Sequence, residues 1–178
     1  MRLGSHDGDL REWVIAVKHN RWESMGEHLG RLLGRQIRVV WPAVQLRPVV
    51  VVPVPMPWIR RADRGIDHAR TIAEGVAREL GLRCVQPLRQ RARGTQVHQG
   101  ARAQRLASDQ RFHAARGPWA WRSLRETKGK TVILVDDVRT TGATLALAGR
   151  ALRSLGAAAV LEAVVTVRES NVPAGEVF

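Results

Sequence analysis

An apolar strand that runs into two acids, and then directly into a hydroxyl-rich turn containing glycine, narrows the choice of fold more than anything else in this chain. Thr131 to Val135 reads as a buried strand. Asp136 and Asp137 follow at its end, and Arg139-Thr140-Thr141-Gly142-Ala143-Thr144 leads into a helix from Leu145 to Leu155. Gly156 stops that helix, and Val160 to Val167 reads as the next strand, completing a βαβ unit. Strands alternating with helices imply a parallel sheet covered on both faces, with ligands at the carboxyl ends of the strands. The expected fold class is α/β, a doubly wound, mainly parallel sheet.

The upstream sequence fits that expectation. Pro48 to Val54 is a β-branched run, too uniformly apolar for a half-exposed strand and suited to a central one. It ends in Pro53-Val54-Pro55-Met56-Pro57, where prolines cannot donate to a sheet ladder and a rigid loop must begin. Ile66, Ala69, Ile72, Ala73, Val76 and Leu80 mark a helix that closes at Gly81, and Leu82 to Leu88 reads as a short strand. Before these, after a loose start from Gly4 to Asp9, Leu10, Trp13, Val14 and Val17 form one helical face. Ser24 with Glu27 has the form of a capping box, ahead of a stripe of Leu29, Leu32, Leu33 and Ile37. The two helices are expected to pack as a pair.

Arg89 to Arg116 is rich in Arg and Gln and short of large apolar residues, Leu106 and Phe112 excepted. It reads as a long loop or hairpin, of the kind used as active-site lids, or as a surface insertion. The 178 residues are expected to form a single domain, residues 1–178, carrying this basic lid. No apolar run is long enough to cross a bilayer and no secretory signal is evident, so no membrane partner and a soluble, cytoplasmic protein are expected. One cysteine, Cys84, excludes an internal disulfide and a cysteine-built zinc site, so no zinc is expected.

The turn after Val135 has a physical logic for a phosphorylated sugar. Backbone amides of Thr141 to Thr144 can point at a phosphate at the helix N-terminus, where the helix dipole adds favourable potential. Gly142 allows close approach of the backbone. Thr140, Thr141 and Thr144 offer hydroxyls, while Asp136 and Asp137 suit ribose hydroxyls or a magnesium shell. The spacing of a nucleotide-triphosphate loop is absent, as is a dinucleotide fingerprint. The formal charge of +13 attracts polyanions, nucleic acid or a phosphate-rich substrate, or else reflects a preference for Arg on solvated faces.

These residues resemble the phosphoribosyl-pyrophosphate loop of type I phosphoribosyltransferases, and the chain from about residue 10 to 168 resembles the ComF/GntX branch of that superfamily. Val50-Val51-Val52-Pro53-Val54-Pro55 is similar to the branch's Val-Pro-Val-Pro segment, and Arg64-Gly65-Ile66-Asp67-His68-Ala69 to its Arg-Gly-Phe-Asn-Gln-Ala segment. Thr95, Gln99, Arg102, Arg105 and Phe112 follow its lid pattern, with about one residue fewer before the Phe. Two departures stand out: the four-cysteine zinc ribbon common in that branch is missing, and Asn-Gln has become Asp67-His68.

The resemblance implies binding of 5-phosphoribosyl-1-pyrophosphate with magnesium by Asp136, Asp137, Arg139, Thr140, Thr141, Gly142, Ala143 and Thr144. It also implies transfer of phosphoribose to an acceptor that the sequence does not identify. Arg60, Arg61 and Arg64 are candidates for the pyrophosphate, with surface charge the plainer reading, and Arg102 and Arg105 are candidates for closing over the same phosphates and excluding water. Lys18 is either an active-site cation or a solvated helix residue, and His68, His98 and His113 lack metal-ligand spacing. Purine-salvage relatives carry an acid where this chain has Thr140, which disfavours hypoxanthine and guanine as acceptors. Type I relatives are often dimers, so a homodimer is the expected assembly.

The alternative function is a non-catalytic or moonlighting protein handling single-stranded DNA, as the ComF resemblance implies. Nine arginines between Arg89 and Arg125, with Trp119 and Trp121 nearby, supply the cations and stacking surfaces such binding needs. The competing reading is a basic lid beside two core tryptophans.

Overall fold

Val49 to Pro53 are all buried. A strand with no exposed face needs neighbours on both edges and a helical layer on each side. The computed structural model describes residues 1–5, 8–19, 23–46, 48–57, 66–90 and 111–168. In chain order the elements are β1 (Arg2–Ser5), α1 (Gly8–His19), α2 (Glu23–Val40), β2 (Val49–Pro53), α3 (His68–Leu80), β3 (Arg83–Cys84) and β4 (Leu88–Gln90). They continue with β5 (Phe112–Ala114), α4 (Pro118–Thr127), β6 (Thr131–Arg139), α5 (Ala143–Ser154) and β7 (Ala159–Val167).

Among the described residues the main sheet has five strands in the order β1-β7-β6-β2-β3. Every pairing in it is parallel, as expected of an α/β fold. The chain winds outward from β2 to β3, returns to lay β6 on the other side of β2, and then winds outward the opposite way to β7. The winding therefore reverses between β2 and β6, the point at which open parallel sheets form a ligand crevice.

Pleating sends alternate residues to opposite faces. Val49, Val51, Ile133, Val135, Ala163 and Val165 pack with Leu29, Leu33 and Ile37 of α2 and Ile72, Ala73, Val76 and Leu80 of α3. Val50, Val52, Val132, Leu134 and Val164 pack with Leu145, Ala148 and Leu152 of α5 and with Leu88 and Phe112. The expected stripe of α3 is buried throughout, including Ile66 and Ala69. Asp67 caps α3 by accepting the Arg70 N–H at 3.2 Å. At its other end Gly81, with φ of 67°, lets Leu82 N–H reach the Ala77 carbonyl at 2.8 Å.

Several expectations need correction. The loose start is in part a strand: Gly4 and Ser5 pair with Thr166 and Val167 at the sheet edge, and α1 already begins at Gly8. Four residues are too few to display alternation. On α1, Val14 is buried but Trp13, expected beside it, is exposed. Ser24 is not a cap, because α2 begins at Glu23.

The main partner of α2 is α3 rather than α1. Leu82 to Leu88 is not one strand either: Arg83–Cys84 pairs with β2, and Leu88 turns away to pair antiparallel with Ala114. That antiparallel pair is the root of a hairpin, and residues 91–110 within the expected lid lie outside the described residues. Among the described residues no helix is long and apolar enough to cross a membrane.

Candidate functional site

β6 runs further than its apolar core. Asp136, Val138 and Arg139 remain in register with Val164, Thr166 and Val167 of β7, so the acids are the strand's last turn of pleat rather than part of the following loop. Burial falls from complete at Val132 to Val135, to partial at Asp136 to Val138, and Arg139 is exposed. The two carboxylates therefore stand where the strand emerges from the core. Asp136 Oδ1 accepts the Asp137 N–H at 2.9 Å, and Asp137 Oδ1 accepts the Val138 N–H at 2.7 Å. Each bond holds one oxygen against the backbone and so sets the direction of its group.

Only Thr140, Thr141 and Gly142 separate β6 from α5. So short a reversal requires left-handed backbone, which Gly142 supplies with φ of 74° and which an L side chain rarely adopts. Thr140 and Thr141 are exposed and Thr144 is half-buried. The Thr141 hydroxyl oxygen accepts the Ala143 N–H at 3.4 Å, and the first helical bond runs from Ala146 N–H to the Gly142 carbonyl at 2.9 Å. Arg139 folds over the turn, with its Nε 3.1 Å from where a Cβ on Gly142 would stand. A guanidinium, three threonines and the amides of a helix N-terminus thus share one short turn beside two carboxylates. That combination attracts an oxyanion on one side and hydroxyl groups on the other.

The second wall is the proline-rich exit of β2. Val54 N–H donates to the Val135 carbonyl at 2.8 Å, so Pro55, Met56 and Pro57 leave the sheet directly beside Asp136. Gln90, at the root of the hairpin, ties into this wall. With its amide oriented by its partners, it donates to the Pro55 carbonyl at 2.6 Å and accepts from Arg111 Nη2 at 2.6 Å. Neither Gln90 nor Arg111 stood out in the sequence, since a polar residue closing a hairpin root has no periodic signature.

The structure thus gathers Asp136, Asp137, Arg139, Thr140, Thr141, Gly142, Ala143 and Thr144 into one site. Arg60, Arg61, Arg64, Arg102 and Arg105 lie outside the described residues, as does His98; Lys18 falls within α1, its side chain outside them. His68 is buried at the start of α3. Burial pushes the thiol of the half-buried Cys84, which packs against the core, up to about 12, and so disfavours it as a nucleophile. Trp119 and Trp121 are not core residues: they stand 82% and 63% exposed on α4, a helix the sequence reading missed. Its one signal was Gly117-Pro118, with proline at the first helical position.

Residues 66–176 match the family described as the phosphoribosyl transferase domain. The chain belongs to that family. The match takes in α3, the hairpin root, both acids and the turn from Thr140 to Gly142. Competence protein F of Haemophilus influenzae is 31% identical to this phosphoribosyl transferase domain over 129 residues, covering 72% of the chain and 55% of the relative. Competence protein ComFC of Bacillus subtilis is 30% identical over 119 residues, covering 67% of the chain and 44% of the relative. The branch read from the motifs is the one these relatives represent, and the chain spans about half their length.

Among solved structures, glutamine phosphoribosylpyrophosphate amidotransferase from B. subtilis superposes with a TM-score of 0.51 at 23% identity, over 79% of this chain and 26% of that one. The allosteric regulatory enzyme of purine biosynthesis does so with a TM-score of 0.51 at 24% identity, over 80% of this chain and 25% of that one. Both share the phosphoribosyltransferase fold.

Proposed function

We propose that this domain binds 5-phosphoribosyl-1-pyrophosphate with magnesium and transfers the phosphoribosyl group to an acceptor nucleophile, releasing pyrophosphate. The observation that carries the reading is the meeting, at the reversal of winding between β2 and β6, of two emerging carboxylates with an Arg-covered helix N-terminus. The amides and hydroxyls of Thr141 to Thr144 hold the 5-phosphate, Asp136 and Asp137 take the ribose hydroxyls, and Arg139 adds positive charge over the turn. In the transfer the bond from ribose C1 to the pyrophosphate oxygen breaks and one from C1 to the acceptor forms. The protein contributes orientation and stabilisation of charge rather than a covalent intermediate.

Among the described residues no cluster of three or more potential ligands forms a metal cage. Magnesium is commonly held by one or two carboxylates together with substrate phosphates, and Asp136 and Asp137 fit that pattern as half-buried hard-oxygen donors. Bound there, it neutralises charge on the departing pyrophosphate.

The test is pyrophosphate release from 5-phosphoribosyl-1-pyrophosphate and magnesium across a panel of nucleobase and amine acceptors. Turnover that is lost in Asp136→Asn/Asp137→Asn supports the reading. Turnover unaffected by that double substitution contradicts it.

A second reading, single-stranded DNA binding, rests on α4. Arg125 lies over the Trp121 ring at 4.9 Å, beside the exposed Trp119, on a chain of net charge +13. Exposed indoles interleaved with guanidiniums stack bases without regard to sequence. Oligonucleotide affinity that falls steeply with salt and drops in Trp119→Ala/Trp121→Ala supports this reading; salt-insensitive or absent binding removes it.

A further inference from the structure

Beyond the edge strand β3 lies an open cleft of about 440 Å³, within the size range of small-molecule sites. Its walls are the first turns of α3, the residues after β3, the hairpin root and the start of α4. None of residues 136–144 lines it, so it is distinct from the phosphate turn.

Its charge is unbalanced. Arg70, Arg89, Arg116 and Glu74 line it. Arg70 Nε is engaged with Glu74 Oε1 at 2.8 Å, and that bond raises its pKa. Arg89 and Arg116 are exposed and have no carboxylate partner among the described residues. Two guanidiniums on one wall, with no carboxylate partner among the described residues, suit an anion, and a fork of N–H donors matches phosphate geometry.

The start of α4 adds to this. Gly117 provides no side-chain cap, so the positive end of the helix dipole meets the cavity uncapped, although Pro118 has no N–H to offer and the Ala120 N–H is bonded to the Gly117 carbonyl at 3.1 Å. Trp119, 82% exposed on the same wall, presents an indole face to water. An aromatic face beside cations suits a ligand that is flat at one end and anionic at the other.

We propose that this cavity binds a phosphate-bearing molecule with a planar heterocycle, the chemistry of a nucleoside monophosphate, with Arg89 and Arg116 on the phosphate and Trp119 against the ring. The site is independent of the sugar-pyrophosphate reading, and its test separates the two. Adenosine monophosphate is titrated into the full chain by calorimetry, alongside inorganic phosphate and short oligoadenylates.

The expected result is equal affinity for the monophosphate in wild type and in Asp136→Asn/Asp137→Asn, with at least tenfold weakening in Arg89→Gln/Arg116→Gln. Trp119→Ala weakens the monophosphate but not inorganic phosphate. The substituted side chains are exposed, so the variants should fold; if Trp119→Ala melts early, Trp119→Phe keeps a ring and must retain binding. The proposal is overturned if wild type does not bind the monophosphate, or if binding is lost in the Asp136→Asn/Asp137→Asn variant while the arginine variant is unaffected. Affinity that climbs with oligoadenylate length also overturns it, since a pocket takes one nucleotide and a strand-tracking surface takes many.

Discussion

Gly30 of α2 and Gly75 of α3 meet with no space for a side chain: a Cβ on Gly30 would stand 2.9 Å from the Gly75 Cα, and one on Gly75 would stand 3.0 Å from the Gly30 Cα. The same added atoms would run into the backbone carbonyls of Ile72 and Glu27. Gly30→Ala and Gly75→Ala should each destabilise the fold by about 1–3 kcal/mol, because backbone has to move to accept the methyl. Gly149→Ala is the control. Its added Cβ meets nothing nearer than 3.6 Å, and an alanine inside α5 should be neutral or stabilising by up to about 1 kcal/mol. Thermal melting of the three variants checks both halves.

That contact also shows where sequence reading stops. The periodicity of Leu29, Leu33 and Ile37 identified which face of α2 is buried, but a stripe says nothing of what lies opposite: α1 does pack on α2, yet the larger partner is α3. The uniform apolarity of Val49 to Val52 placed β2 correctly in the sheet interior, because burial on two faces leaves a compositional mark. β1 and β3 leave none, with four and two residues each held by neighbours distant in sequence. At the turn from Thr140 to Thr144 the sequence showed where the strand gives way to the helix, because residue type and order carry that. That the acids still belong to β6 was not, since the ladder to β7 depends on register and not on hydrophobicity.

Asp67 caps α3 through its side chain, and asparagine can accept the same Arg70 N–H. Asp67→Asn should therefore melt within about 0.5 kcal/mol of wild type, while Asp67→Ala loses about 1 kcal/mol. Equal losses in both would show that the charge of Asp67, and not its cap, matters.

Cys84 gives a pH signature. Burial raises its thiol pKa to about 12 from an ordinary value of 9.0, so the folded state holds this proton more tightly than the unfolded state. The resulting stability is fully present below pH 9.0 and is lost progressively as pH rises towards 12. Alkylation by iodoacetamide at pH 8 should be much slower in the folded chain than in the same chain in denaturant. Equal rates would contradict the burial.

Thr140 offers no general base in a turn where a carboxylate could serve as one. Hypoxanthine and guanine should give no pyrophosphate release above background under conditions in which a productive acceptor does. Turnover with either base would place the proton acceptor elsewhere in the site.

The most direct test of the central claim is thermal unfolding with magnesium, with and without 5-phosphoribosyl-1-pyrophosphate, for wild type and Asp136→Asn/Asp137→Asn. A ligand binding only the folded state at about 100 times its dissociation constant adds about 2.7 kcal/mol. The account predicts a rise of several degrees for wild type and none for the double variant, with similar melting of the two proteins when no ligand is present. An unchanged wild-type melting temperature at saturating ligand, or an equal rise in both proteins, would contradict it.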